Sequence, residues 1–285
     1  MPRGNGCSML ATAHLSRCRC FNDRDMSALA LMLSHFFKRQ SYITGFHPKM
    51  LFRSLFGVPP FLIDLYKYRA MNTSSTFRLN FLDMFPILSD RKDKAGVASG
   101  HYFNQDLWAA KKIFERHPSQ HIDIGSRLDG FVAHLLVFMS VTVVDIRRLE
   151  SNLPGLRFLQ DDATELSSMA DNSVDSISTL HAAEHFGLGR YSDPIDPMAC
   201  FKFIGALQRV LAPGGRLYFS VPIGRERVEF NAHRVFAPKT ILDSFSSLRL
   251  VSFSFVGDDG QIYEEVDALK IPQSEFACGL FEFTK

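Results

Sequence analysis

The chain has 285 residues, of which 46% are hydrophobic and 22% charged, with a formal net charge of +2. That length admits one sizeable α/β domain with an extension, and the composition excludes a wholly disordered chain. No apolar run is long enough to span a bilayer. Residues 1–120 hold 17 Lys and Arg against 8 Asp and Glu, whereas residues 121–285 hold 15 against 22. A basic front half suits phosphate, anionic lipid or an acidic partner, and the acidic remainder argues against a nucleic-acid groove, so no nucleic-acid partner is expected. The plainer reading is that two solvated faces of opposite sign attract one another.

Residues 1–25 read as an unstructured tail, or as an over-long start ahead of Met26. The first 22 residues carry Arg3, Arg17 and Arg19 and no acid, a composition shared with mitochondrial presequences. The five cysteines are Cys7, Cys18, Cys20, Cys200 and Cys278, and Cys18-Arg-Cys20 is too tight for the usual zinc pair. Reduced thiols in a cytoplasmic protein are the simplest account, with no metal expected. Residues 26–99 read as a basic helical extension. Within residues 27–72 lie two amphipathic stretches, interrupted by Gly57 and Pro59-Pro60. Packing on their own domain is their expected role, and peripheral membrane contact is the alternative.

Residues 100–285 carry a regular α/β pattern. Helix HYFNQDLWAAKKIFERH leads to strand HIDIG, helix LDGFVAHLLVF, and strands VTVVDI, LRFLQ and VDSISTL. Helix DPMACFKFIGALQRVL follows and stops at APGG; then come strand RLYFSVPI, helix APKTILDSFSSL and strands RLVSFSFVG and FACGLFEFTK. Apolar strands separated by helices predict a doubly wound, mostly parallel sheet covered on both faces, an α/β fold.

In such sheets ligands collect at the carboxyl ends of the strands, near the switch in strand order. After the first strand, Asp123-Ile124-Gly125-Ser126-Arg127-Leu128-Asp129-Gly130 offers a tight turn at Gly125 and unpaired amide donors beyond it. Asp145 ends the second strand, where an acid can accept hydrogen bonds from both ribose hydroxyls. Asp161-Asp162-Ala163 ends the third, within reach of a purine's exocyclic amine. A strand-end Asp alone is often only a helix cap, but three in register are more specific.

HIDIGSRLDG, VDI, DDATEL, DNSVDSISTLHAAEHF and LQRVLAPGGRLYFSVP together resemble the class I S-adenosylmethionine-dependent methyltransferase fold over about residues 121–285. The resemblance implies S-adenosylmethionine held by Asp123, Gly125, Arg127, Gly130, Asp145, Asp162 and Ala163. HYFNQDLWAA, HIDIGSRLDGF, EHFGLGRYSDPID and FNAHRVF further resemble a mainly bacterial family called domain of unknown function 268, which supplies no substrate. One departure stands out. Where the methyltransferase loop alternates glycines, this chain has Arg127 and Asp129 at the second and third glycine positions, followed by Gly130. Side chains there are expected to crowd the methionine end of the cofactor, or Arg127 to pair with its carboxylate or with a phosphate of another nucleotide.

His181-Ala-Ala-Glu184-His185 follows the fourth strand and has the zinc-ligand spacing of one group of metallopeptidases, H-x-x-E-H. A zinc hydrolase needs a third ligand and a different scaffold, so it ranks third among the readings. At a strand end facing the crevice, His181 is the first candidate for a general base, with Glu184 and His185 holding it. A purely structural role as helix cap or loop support is the bland alternative. His233, with Arg234 as an anion contact, follows RLYFSVPI and is the second candidate; Asn231 as a helix cap is its bland reading. The leading expectation is methyl transfer to a small-molecule or glycan-type acceptor. The alternative is a catalytically silent nucleotide- or nucleotide-sugar-binding scaffold. Nothing in the sequence indicates an oligomeric state.

Overall fold

The computed structural model describes residues 44–45, 47–73 and 76–285. The expected tail, the first amphipathic stretch of the extension, and Cys7, Cys18 and Cys20 lie outside the described residues. The chain divides into two compact units, up to Gly96 and from Val97.

In the first unit, α1 runs unbroken over Pro48–Met71. The expected interruption at Gly57 and Pro59-Pro60 does not occur. Each proline removes an amide donor, but no described residue of the helix is buried, so no apolar contact depends on a straight axis. Gly57 has a packing role instead: a Cβ there would lie 2.0 Å from the Leu88 carbonyl oxygen, so only glycine lets the returning chain pass. Ion pairs of Arg53 with Asp93 and of Arg91 with Asp64 fasten that return to α1. Phe52, Phe56 and Leu62 of α1 are exposed. Among the described residues no helix is long and apolar enough to cross a membrane.

The second unit is α/β. Helix α2 (His101–Arg116) precedes β1 (His121–Ile124). The helix expected over LDGFVAHLLVF shrinks to a π turn, Leu128–Val132, and one α turn, α3 (Ala133–Leu135). Strands β2 (Val141–Asp145), β3 (Leu156–Gln160) and β4 (Val174–Leu180) follow as read from the sequence. Helix α4 (Ala199–Val210) begins later than DPMA, and APGG lies inside β5 (Leu211–Ile223). The sequence reading missed a hairpin of β6 (Arg227–Glu229) and β7 (His233–Val235). Beyond it lie α5 (Pro238–Ser244), β8 (Arg249–Val256), β9 (Ile262–Tyr263) and β10 (Ala277–Thr284).

The eight-stranded sheet has the order β3-β2-β1-β4-β5-β10-β8-β9. From β3 to β5 every pairing is parallel, while β10 inserts antiparallel between β5 and β8. This is the doubly wound, mostly parallel arrangement expected from the sequence. The chain winds outward from β1 in both directions, so the switch in strand order falls between β1 and β4 and opens a crevice at their carboxyl ends. Two buried clusters sandwich the sheet. Phe203, Leu207, Phe219 and Phe281 belong to one, and Trp108, Ile113, Phe131 and Leu280 to the other.

Candidate functional site

The turn after β1 is pinned to β4. Asp123 is fully buried and its carboxylate accepts from Ser126 Oγ (2.6 Å), Ser126 N (3.2 Å) and Ser178 Oγ (2.6 Å). Ser126 Oγ in turn accepts from Leu180 N at 3.0 Å. Burial pushes the Asp123 carboxyl up to about 6 against the opposing pull of these donors. Asp123 therefore shapes the turn rather than facing a ligand. Gly125 has φ +70°, and a Cβ on it would lie 3.0 Å from Ala182 Cβ. This leaves a bare backbone edge at the switch point.

That edge borders a cleft of about 280 Å³, whose lining is mainly apolar. Gly125, Asp145, Asp162, Ala163, His181 and His185 all line it, so six of the expected site residues converge. Asp123, Arg127, Gly130, Glu184 and His233 do not line it. The crowding expected from Arg127 and Asp129 does not arise. They hydrogen-bond each other (Nε–Oδ1 3.1 Å, Nη2–Oδ2 3.0 Å) with side chains 51% and 76% exposed. Arg127 also lies over Tyr102, 5.1 Å from its ring centre. Gly130 packs closely on α2, since a Cβ there would meet Asp106 Oδ2 at 2.5 Å and the carboxylate would have to turn aside.

Asp145 closes β2 and is occupied. Arg147 donates to both of its oxygens, Nε to Oδ1 at 2.9 Å and Nη2 to Oδ2 at 2.6 Å, and Arg147 N adds a third bond at 2.8 Å. The guanidinium lies 4.7 Å above the Tyr191 ring, which also carries Arg190 at 5.2 Å. Asp162 accepts from Thr164 N and Oγ1 through Oδ1. Tyr191, a candidate acceptor contact, lines the cleft, as does Ile146, which the sequence did not single out. Asp193 organises the loop. Its carboxylate accepts from the amides of Gly187 (2.7 Å), Gly189 (3.3 Å) and Tyr191 (3.1 Å). Burial opposes its ionisation, but these amides outweigh it and the carboxyl is held below its ordinary value.

HAAEHF does not form the helix that H-x-x-E-H requires. Only Ala183–His185 is helical, as a single 3-10 turn, and His181 stands outside it at φ +53°. Glu184 is buried beneath both histidines, with Oε1 2.7 Å from His181 Nδ1 and 3.7 Å from His185 Nε2. Burial pulls His181 down, but the Cys278 thiol and Glu184 carboxylate beside it more than offset that, leaving it well above its ordinary value. His185 moves the other way, lowered by burial despite Glu184. Its Nδ1 lies 2.6 Å from the Ala232 carbonyl, which fixes the Nδ1–H tautomer and leaves Nε2 as the basic atom.

The second histidine pair is built differently from expectation. Asn231 sits at φ +64° in the β6–β7 turn and caps no helix. His233 rests against Phe276 and Glu229, and its ring centre is 6.4 Å from that of His185. Arg234 is buried and clamps the carbonyls of Phe186 (2.6 Å) and Pro197 (3.3 Å), so it is not available as an anion contact. Trp108 is a core residue set edge-on against Tyr218.

Residues 155–262 match a family model described as "Caenorhabditis protein of unknown function, DUF268". That description does not carry the mainly bacterial association read from the sequence. No curated protein matches the chain. Among solved structures, the [4+2]-cyclase SpnF is 13% identical, with TM-score 0.47 over 67% of this chain and 88% of its own. A TehB-like SAM-dependent methyltransferase from Corynebacterium glutamicum is 16% identical, with TM-score 0.42 over 62% and 86%. The 1,6-didemethyltoxoflavin-N1-methyltransferase of Burkholderia thailandensis is 18% identical, with TM-score 0.44 over 65% and 83%. Likenesses at this level carry no argument for activity.

Proposed function

We propose that the cleft binds S-adenosylmethionine and that the protein transfers its methyl group to a small or glycan-type acceptor. The observation that carries this reading is the convergence of Gly125, Asp145 and Asp162 on one cleft at the β1–β4 switch. The residues present suit the cofactor at three points. The Gly125 backbone is bare where a side chain would fill the space against Ala182. Asp145 offers two acceptor oxygens to a ribose diol once Arg147 turns aside, and exposed Ile146 gives an apolar platform for the purine beside Asp162.

S-adenosylmethionine supplies an electrophilic methyl on a sulfonium. The chain's own work is alignment, holding an acceptor atom in line and excluding water, with modest help from a base. His185, expected from the sequence to hold His181, suits the basic role better than that first candidate. Glu184 and Cys278 beside His181 raise it and favour its charged form, whereas burial lowers His185; both rings line the cleft. The alternative of a silent nucleotide-sugar holder, motivated by the altered glycine loop, is less favoured, because Arg127 pairs with Asp129 and does not line the cleft.

A thermal-shift series with S-adenosylmethionine, S-adenosylhomocysteine and nucleotide sugars tests the reading. Stabilisation by the adenosyl compounds is expected; stabilisation by nucleotide sugars alone would overturn it.

A further inference from the structure

At the edge of the cleft, which His181 lines, three metal-ligating side chains converge, and the methyl-transfer reading does not use His101 or Cys278. His101 begins α2, His181 follows β4, and Cys278 lies on β10, 177 positions along the chain from His101. One ligand atom from each lies within 4.8 Å of the other two. Tetrahedral zinc with two nitrogens and a sulfur places its ligand atoms roughly 3.5 Å apart. Side-chain rotation of about an ångström therefore closes the set.

Three further features favour a metal over a fortuitous cluster. The His181 side chain is 6% exposed, and its Nε2 is buried with no hydrogen-bond partner. Such an orphaned nitrogen is costly unless something binds it. Next, His181 Nδ1 is held by Glu184 at 2.7 Å, and the His101 ring stacks on Phe276 with ring centres 5.3 Å apart. A carboxylate partner of this kind fixes which imidazole nitrogen of His181 turns to a metal. Lastly, Cys278 is fully buried and reduced beside His181, with Gln105 Oε1 at 3.7 Å and its neighbour's carbonyl at 3.9 Å.

We propose that His101, His181 Nε2 and Cys278 Sγ bind one Zn²⁺-class transition-metal ion, with a fourth position left to water or a ligand. Binding converts the thiol to a thiolate, and the proton leaves to solvent. The set differs from the H-x-x-E-H reading, since Glu184 orients a ligand and His185 takes no part.

The test titrates chelator-treated full-length protein with Zn²⁺ and, separately, with Co²⁺, whose thiolate charge-transfer band reports sulfur ligation. One equivalent of Zn²⁺ is expected, together with a thiolate band on Co²⁺. Cys278→Ser should lose the band, and His101→Ala should weaken Zn²⁺ binding at least tenfold. Glu184→Gln should weaken it about 10- to 100-fold while the band stays. Failure of the wild-type chain to hold a stoichiometric ion, or a Co²⁺ complex without the sulfur band, would overturn the proposal without relying on any variant's folding. Titrating S-adenosylhomocysteine into the same metal-free sample separates the two claims, because cofactor binding does not require the ion.

Discussion

Arg147 and Asp145 are locked in a two-pronged ion pair at the carboxyl end of β2, at 2.9 and 2.6 Å, on the oxygens that a ribose diol needs. The pair lies in the cleft wall and is partly solvent-exposed. A ligand must displace it, and an exposed pair of this kind contributes only about 0.2–1 kcal/mol. Arg147→Ala should therefore tighten S-adenosylhomocysteine binding about two- to fivefold, read by calorimetry. A loss of affinity would mean that Arg147 itself holds the ligand.

Gly125 is a close backbone constraint at the turn after β1. An alanine there must adopt φ +70° and set its Cβ 3.0 Å from Ala182. Positive φ alone costs roughly 1–2 kcal/mol for a non-glycine residue. Gly125→Ala should lower the thermal midpoint and abolish adenosyl-ligand stabilisation, both visible in one melting series. A variant with unchanged ligand response would remove Gly125 from the site.

The two histidines of HAAEHF should titrate in opposite directions. His185 faces Glu184, Arg190, His181 and His233, and burial leads in lowering it. His181 is raised beside Glu184 and Cys278. In metal-free protein, the His185 Cε1–H resonance should shift at lower pH than that of His181. Glu184→Gln should bring the His181 midpoint down. The reverse order would return the basic role to His181.

Asp123 links the site turn to stability. Its folded pKa of about 6 lies above the ordinary 3.8, so the folded state keeps a proton that the unfolded chain has released. Stability from this group is full below about pH 4 and falls as pH rises toward 6, by about 3 kcal/mol at most. Asp123→Asn should flatten that part of the urea-denaturation profile. An unchanged pH slope would show that the carboxyl is not buried as described.

Much of the fold was legible because its signals are local. VDSISTL and LRFLQ coincide with β4 and β3, and each strand ends one position before the residues singled out for chemistry, His181 and Asp161-Asp162. What escaped depended on distant packing. Pro59-Pro60 reads as a break, yet a helix that buries nothing tolerates the lost donors. Asn231-Ala232-His233 reads as a helix start, but the return of β7 against β6 makes it a hairpin turn. His101 and Cys278 carry no spacing signal, since only the docking of α2 beside β10 brings them to His181. The Arg147 pair was hidden for another reason, because a side chain two positions past a site acid can point anywhere until the loop carrying Tyr191 fixes it.

The account rests on Asp145 gripping a nucleoside, and titrating S-adenosylhomocysteine into the wild type and Asp145→Ala side by side tests it most directly. A one-to-one complex with the wild type, weakened at least tenfold in the variant, is the expected result. No heat with the wild type at millimolar ligand, or equal affinity in both proteins, would contradict it.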